Sequence, residues 1–203
     1  MVFKKLQKRW TQPEPLQCVP TAIKTVLTNQ FPHLKVPSLK DIGKMCQYRQ
    51  IYGVSIERLE LNMKKLEKIG IKFHLKEESN INQLKELLEN NKYPLVLFHL
   101  KDYNSWKDYS IEVETDDEIS FHMVIVVGVN PQKKEVKVFD TLYHKYKNYK
   151  SSEIYDKINF QKFYKLWTTE ELIYPVFWFS EIPKIPKKGE KEQKRVNKWM
   201  KKN

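Results

Sequence analysis

The sequence predicts an α+β domain. Patterns with helical spacing come first, and strand-like apolar or alternating runs cluster late, an order that suits helices packed on an antiparallel sheet better than a doubly wound one. A length of 203 residues allows one well-cored domain and is short for two. The 40% apolar and 13% aromatic content is too high for a wholly disordered chain. The expected organisation is one domain over residues 1–182, followed by a basic tail over 183–203.

Residues 1–17 read as an extended arm, because Pro13 and Pro15 oppose helix around them. A helix follows from Cys18 to about Thr28. Pro20 fits in its first turn, where the missing N–H would be unpaired anyway, and Ala22, Ile23, Val26 and Leu27 supply its apolar face. Ser38 opens a second helix, SLKDIGKMCQ, with Asp41 in the capping-box position. GVSIERLELNMKKLEKIG reads as a third, with Ser55 as N-cap, Ile56, Leu59, Met63 and Leu66 on one side, and Gly70 at its end.

IKFHLKE alternates as a short strand, and INQLKELLENN is a helix capped by Asn80. YPLVLFHL is a continuous apolar run suited to a buried strand. A polar, aromatic-studded connection of about twenty residues follows it; a loop of that length in a small domain is commonly functional. FHMVIVVGV and KEVKVFD are two strands joined through NPQKK. NFQKFYKLWTTEEL is a late helix with an aromatic face, and IYPVFWFSE is the last strand.

Composition narrows the chemistry. With five glycines, the chain has neither GxGxxG nor GxxxxGK[ST], so no Gly-rich phosphate loop is expected. Two cysteines make no disulfide scaffold, and without CxxC or HExxH no metal site and no cofactor are expected. No apolar run reaches signal-peptide or transmembrane length, so a cytoplasmic protein without a transmembrane segment is the expectation. The net charge is +12, and the segment from Glu181 onward holds nine Lys/Arg against three Glu, half of that excess. Such a tail is usually a solvated face; nucleic acid or an acidic partner is the alternative it allows.

The informative residue is Cys18, at the mouth of the first helix. Gln12 lies upstream of it, and His122 and Asp140 sit at the open ends of the late hairpin. A helix start and a neighbouring imidazolium both favour a thiolate. The hairpin supplies the geometry. A turn centred on Pro131 sets His122 directly opposite Asp140, and one centred on Gln132 sets them diagonally, within about 8 Å on the same face. A slip of one residue would send them to opposite faces. An acid so placed holds the imidazole in one tautomer and stabilises its protonated form. Gln12 can fold back beside the thiol and, with the Cys18 N–H, form a two-donor oxyanion hole. Gln17 is the alternative amide.

Gln12 and the run Cys18-Val-Pro-Thr-Ala-Ile resemble the opening of papain-like cysteine peptidases of the bacteriocin-processing, double-glycine-leader type. His122-Met-Val-Ile-Val-Val-Gly and Val138-Phe-Asp140 resemble that family's His and Asp blocks. The order of elements between them and the late helix fits as well, over roughly residues 8–180. The chain has Val19 and Thr141 where members often have Gly and Pro. The resemblance implies a papain-like fold, a peptide or protein substrate, Cys18 as nucleophile, His122 as general base and acid, Asp140 as orienting acid and Gln12 as oxyanion donor.

Other readings of the same residues stand beside this one. His99 is an alternative base, and His99, His122 and His144 are a remote metal set without helpful spacing. Cys46, on the second helix, reads as core; His33 and His74 read as loop or surface. Asp116, Asp117 and Glu118 read as a solvated run, and Tyr103, Trp106 and Tyr109 as core-edge or cleft aromatics. The rival functions are an amidase or transglutaminase-like acyltransferase using the same site, and a non-catalytic module that binds through the basic tail.

Overall fold

A computed structural model describes residues 1–14, 16–50, 53–56, 58–99, 102–103, 121–142, 154–167 and 173–183. In chain order the elements are β1 (Val2–Phe3), α1 (Cys18–Gln30), α2 (Leu39–Cys46), α3 (Leu59–Met63), a 3-10 helix (Lys64–Ile69), β2 (Ile71–Lys76), α4 (Ile81–Glu89), β3 (Leu95–His99), β4 (Phe121–Asn130), β5 (Glu135–Phe139), β6 (Asp156–Asn159), α5 (Phe160–Trp167) and β7 (Val176–Glu181). The basic tail from residue 184 onward lies outside the described residues.

Local signals account for most of these boundaries. The Ser38 side chain accepts from the Asp41 N–H at 3.1 Å and opens α2. Asn80 and Gln83 form a reciprocal capping box at the start of α4, which satisfies two N–H groups that the helix cannot. Gly70 adopts φ 83°, a left-handed conformation that glycine enters without steric cost, and ends the 3-10 helix before β2.

The third predicted helix is shorter than its pattern. Gly53 is paired with Arg49 in an isolated bridge, and α3 starts only at Leu59, so Ser55 caps nothing. Leu59, Met63 and Leu66 are buried as expected, but the last of them sits on 3-10 backbone. Packing of this apolar face against α2 and β2 sets the outcome, where propensity alone predicts a longer α-helix.

The seven strands make one sheet in the order β2-β7-β3-β4-β5-β6, with β1 alongside β4, and every neighbouring pair is antiparallel. The late strands thus recruit two early ones: β2 pairs with β7, and β1 continues the β3 side of β4. Strands β1 and β6 carry little sequence signal because they are two and four residues long. Gly128 permits the β1 contact, since a Cβ there would sit 3.1 Å from both the Phe3 ring and the Val2 carbonyl.

The sheet is apolar on both faces. One face packs with α1, α2 and α3 through Ile23, Leu27, Ile42, Leu59, Met123, Ile125 and Phe139. The other packs with α4 and α5 through Leu84, Leu88, Phe98, Val124, Val126, Phe163 and Trp167. Burial on both faces explains why β3 and β4 read as continuous apolar runs without alternation.

Candidate active site

Cys18 is the first residue of α1, and Gln17 before it offers the helix no side-chain cap. The side chain of Gln17 turns instead to Glu14, donating from Nε2 to Oε2 at 3.0 Å. Cys18 is 7% exposed. It acts on the ring of His122, whose basicity it helps to raise.

His122 lies on β4, directly across from Phe98 on β3. Its Nε2 is 2.7 Å from Asp140 Oδ1, and both residues are buried. With Nε2 committed to the carboxylate, Nδ1 is the nitrogen left for the thiol. The carboxylate collects two further donors. The Leu142 N–H reaches Oδ1 at 2.8 Å, and the Tyr103 hydroxyl reaches Oδ2 at 2.5 Å.

The hairpin joining these residues contains a correction in register. Near the turn, Val129 faces Val136 and Asn130 faces Glu135. Continued unbroken, that pairing would set Asp140 opposite Ile125, on the other face from His122. A β-bulge between Val126 and Gly128 restores parity, so that Val126 faces Val138 and Ile125 faces Phe139. Extended by one pair, the corrected register places Asp140 opposite Val124, diagonal to His122 on the shared face.

The charges of this pair depend on each other. Burial alone favours neutral imidazole, but the Asp140 carboxylate and the hydrogen bonds from Asp140 and Cys18 outweigh it and raise His122 to about 10. Burial likewise opposes ionisation of Asp140, and the His122 charge with the donors from His122, Tyr103 and Leu142 holds the carboxyl below its usual range. The pair is therefore imidazolium and carboxylate at neutral pH.

Gln12 is fully buried and tied to the segment just beyond the acid. Its N–H donates to the Thr141 carbonyl at 3.1 Å, and its Oε1 accepts from the Thr141 hydroxyl at 2.8 Å. Its Nε2 donates to the Glu14 carbonyl at 3.0 Å. Glu14 in turn accepts from the Tyr48 hydroxyl at 2.8 Å. Burial first, then the hydrogen bond and charge of Glu14, with a smaller contribution from Cys18, push Tyr48 up to about 12.

Tyr103 is the residue whose role sequence reasoning missed. Its ring stacks on His122 with centroids 5.2 Å apart, and its hydroxyl holds Asp140. It is one aromatic among several in a polar connection, and no local spacing singles it out. Trp106, Tyr109, Asp116, Asp117 and Glu118, from the same connection, lie outside the described residues, as does His144.

The remaining candidates take other positions. His99 is next to Phe98 on β3 and so projects from the opposite face of the sheet to His122; its Nδ1 is 3.5 Å from Asp102 and its ring is against Phe121. His33 meets Glu181 at the surface, and His74 stacks on Trp178. Cys46 is buried at the end of α2, where desolvation raises its thiol to about 12. Among the described residues no group of three or more His, Cys, Asp or Glu side chains could hold a metal ion, and no helix is long and apolar enough to cross a membrane.

Two solved structures share this architecture. One is a double-glycine motif protease from an AMS/PCAT transporter, crystallised in complex with the leader peptide, with a TM-score of 0.54 at 14% identity over 88% of this chain and 94% of that one. The other is a putative C39-like peptidase from Bacillus anthracis, with a TM-score of 0.57 at 13% identity over 88% of this chain and 97% of that one. The chain has the papain-like C39 peptidase fold. No protein-family model matches it, and no curated protein matches it in sequence. At such low identity the C39 likeness lies in the backbone, and the chemistry has to be argued from this chain's own side chains.

Proposed function

We propose that this C39-fold chain is a cysteine peptidase that cleaves a peptide or isopeptide bond through an acyl-enzyme on Cys18. The observation that carries the reading is the buried His122–Asp140 hydrogen bond, nearly closed to solvent, on a ring whose basicity Cys18 also raises. A structural histidine would need one partner. This one has a thiol on one side and a carboxylate with three donors on the other.

In the proposed cycle His122 holds the thiol proton and Cys18 Sγ attacks the carbonyl carbon. The oxygen takes up negative charge, which the Gln12 Nε2–H and the Cys18 N–H stabilise. His122 then gives its proton to the leaving nitrogen as the C–N bond breaks. Water attacks the thioester carbon and gives one proton to His122; the C–S bond then breaks, the carboxylic acid leaves, and Cys18 returns as thiolate beside the protonated His122. Asp140 keeps the ring oriented and its charge balanced throughout. No metal or cofactor enters these steps. Cys18 and Cys46 are both free thiols, which fits a reducing compartment such as the cytoplasm.

A mixture of fluorogenic peptides tests the proposal, with products identified by mass. Hydrolysis adds one water to the cleaved pair, whereas an acyltransferase in the presence of added glycine amide adds the amine. Cleavage that persists in Cys18→Ala would overturn the assignment. A mass gain of the amine alone would leave the nucleophile in place and move the function to acyl transfer.

A further inference from the structure

We propose that Thr141 is a positioning residue for the oxyanion donor: its hydroxyl fixes the plane of the Gln12 amide. The inference rests on the assignment of Gln12 as that donor. An amide on a flexible side chain has two orientations related by a flip, and it can also swing about its stem. Here two contacts remove both freedoms. The Glu14 carbonyl accepts from Nε2 at 3.0 Å, so a flip would bring two carbonyl oxygens together. The Thr141 hydroxyl donates to Oε1 at 2.8 Å and pins the other end. A single contact would leave the amide free to pivot; two define its plane.

The surroundings make the Thr141 contact consequential. Gln12 and Thr141 are both fully buried, so bulk water does not replace a lost donor, and Nε2 meets a substrate oxygen only when substrate displaces what covers it. Without the hydroxyl, Oε1 would lose a donor in a place where bulk solvent offers no substitute. The amide would relieve that loss by swinging about its stem, which carries Nε2 away from the position that the proposed cycle gives it. The backbone tells the same story. Gln12 N–H donates to the Thr141 carbonyl, while Leu142 N–H donates to Asp140, so three consecutive residues register both the acid and the oxyanion donor.

Two probes separate this role from a merely structural one. Acylation by para-nitrophenyl acetate passes through a tetrahedral oxyanion, whereas alkylation by iodoacetamide does not. The measured quantity is the ratio of the two second-order rates at Cys18 for wild type, Thr141→Val, Thr141→Ser, Gln12→Ala and the Gln12→Ala/Thr141→Val pair, each checked for a native melting transition. The net worth of one neutral hydrogen bond corresponds to a loss of roughly three- to tenfold in that ratio for Thr141→Val. Thr141→Ser, which keeps the hydroxyl, should restore it, and Thr141→Val should add nothing in the Gln12→Ala background.

If Thr141→Val does not fold, Thr141→Ala carries the same expectation. A normal ratio in Thr141→Val, with a reduced one in Gln12→Ala, overturns the role of Thr141 and leaves Gln12 standing. A normal ratio in Gln12→Ala overturns the donor assignment itself, and this inference with it. Equal losses from Thr141→Val with and without Gln12 would show that Thr141 acts through something else, which also overturns it.

Discussion

Replacing Asp140 by asparagine should collapse the basicity of His122. The wild-type ring is raised from 6.5 to about 10, against the opposing effect of its burial. A difference of that size corresponds to about 5 kcal/mol in favour of the imidazolium. Asparagine keeps the shape and can still accept from the Leu142 N–H, while its amide can donate to the Tyr103 oxygen in place of the present bond. What it removes is the negative charge. Burial then acts with only Cys18 to oppose it, and the His122 midpoint should fall by several units, to near or below 6.5.

The assay is a pH titration of His122 in ¹⁵N-labelled protein, following the long-range ring nitrogen–carbon-bound hydrogen correlations, which separate the protonated from the neutral ring. Peptide cleavage should lose its alkaline plateau in parallel. A midpoint in Asp140→Asn within about one unit of wild type would refute the carboxylate as the source of the raised basicity. Some other group would then have to sustain the imidazolium.

Three further outcomes are expected. Brief exposure to iodoacetamide followed by mass spectrometry should find label on Cys18 well before Cys46, because burial leaves Cys46 closed and its thiol raised to about 12; equal labelling would contradict this. Tyr103→Phe keeps the stack on His122 but takes a donor from a buried carboxylate, and should cost about 1.5–3 kcal/mol in urea unfolding, the usual worth of a hydrogen bond to a charged group; an unchanged midpoint would speak against the bond. The raised His122 contributes stability fully below about pH 6.5 and loses it as pH rises through about 10, whereas the lowered Asp140 contributes above about pH 3.8 and loses it on acidification. The melting-temperature gap between wild type and Asp140→Asn should therefore be widest between those limits, at mildly acidic pH, and a gap that does not change with pH would rule out the linkage.

Much of the frame was legible because local signals and tertiary packing agree. The caps at Ser38 and Asn80, the stop at Gly70 and the apolar runs of β3 and β4 each have a physical cause within a few residues of sequence. The delayed start of α3 has a local competitor that the helical pattern does not show: Gly53, the first residue of the predicted helix, is held in a bridge to Arg49. The short strands β1 and β6 exist only because longer neighbours offer them an edge. Tyr103 was invisible as a site residue for a similar reason. Its value lies in where the start of the connection returns to β4, not in anything that surrounds it in sequence.

The hairpin shows how a correct expectation can rest on incomplete reasons. Parity between His122 and Asp140 is expected from a turn centred on Pro131 or Gln132, yet the pairing nearest the turn has the opposite parity. The site survives because one extra residue on β4 cancels the slip before the strands reach it. Bulges bend and twist a strand as well as shifting it, and this one occurs where β1 leans on Gly128. The close approach of β1 and the correction of the register therefore fall in the same few residues. The distance from there to His122 is long enough for two regular pairs, Val126–Val138 and Ile125–Phe139, to lock the corrected alignment. A side chain on the wrong face of a sheet this apolar would bury a carboxylate away from its cation. The cost of such an unpaired charge, about 3–5 kcal/mol for a broken buried pair, is what selects the bulged register over the unbroken one.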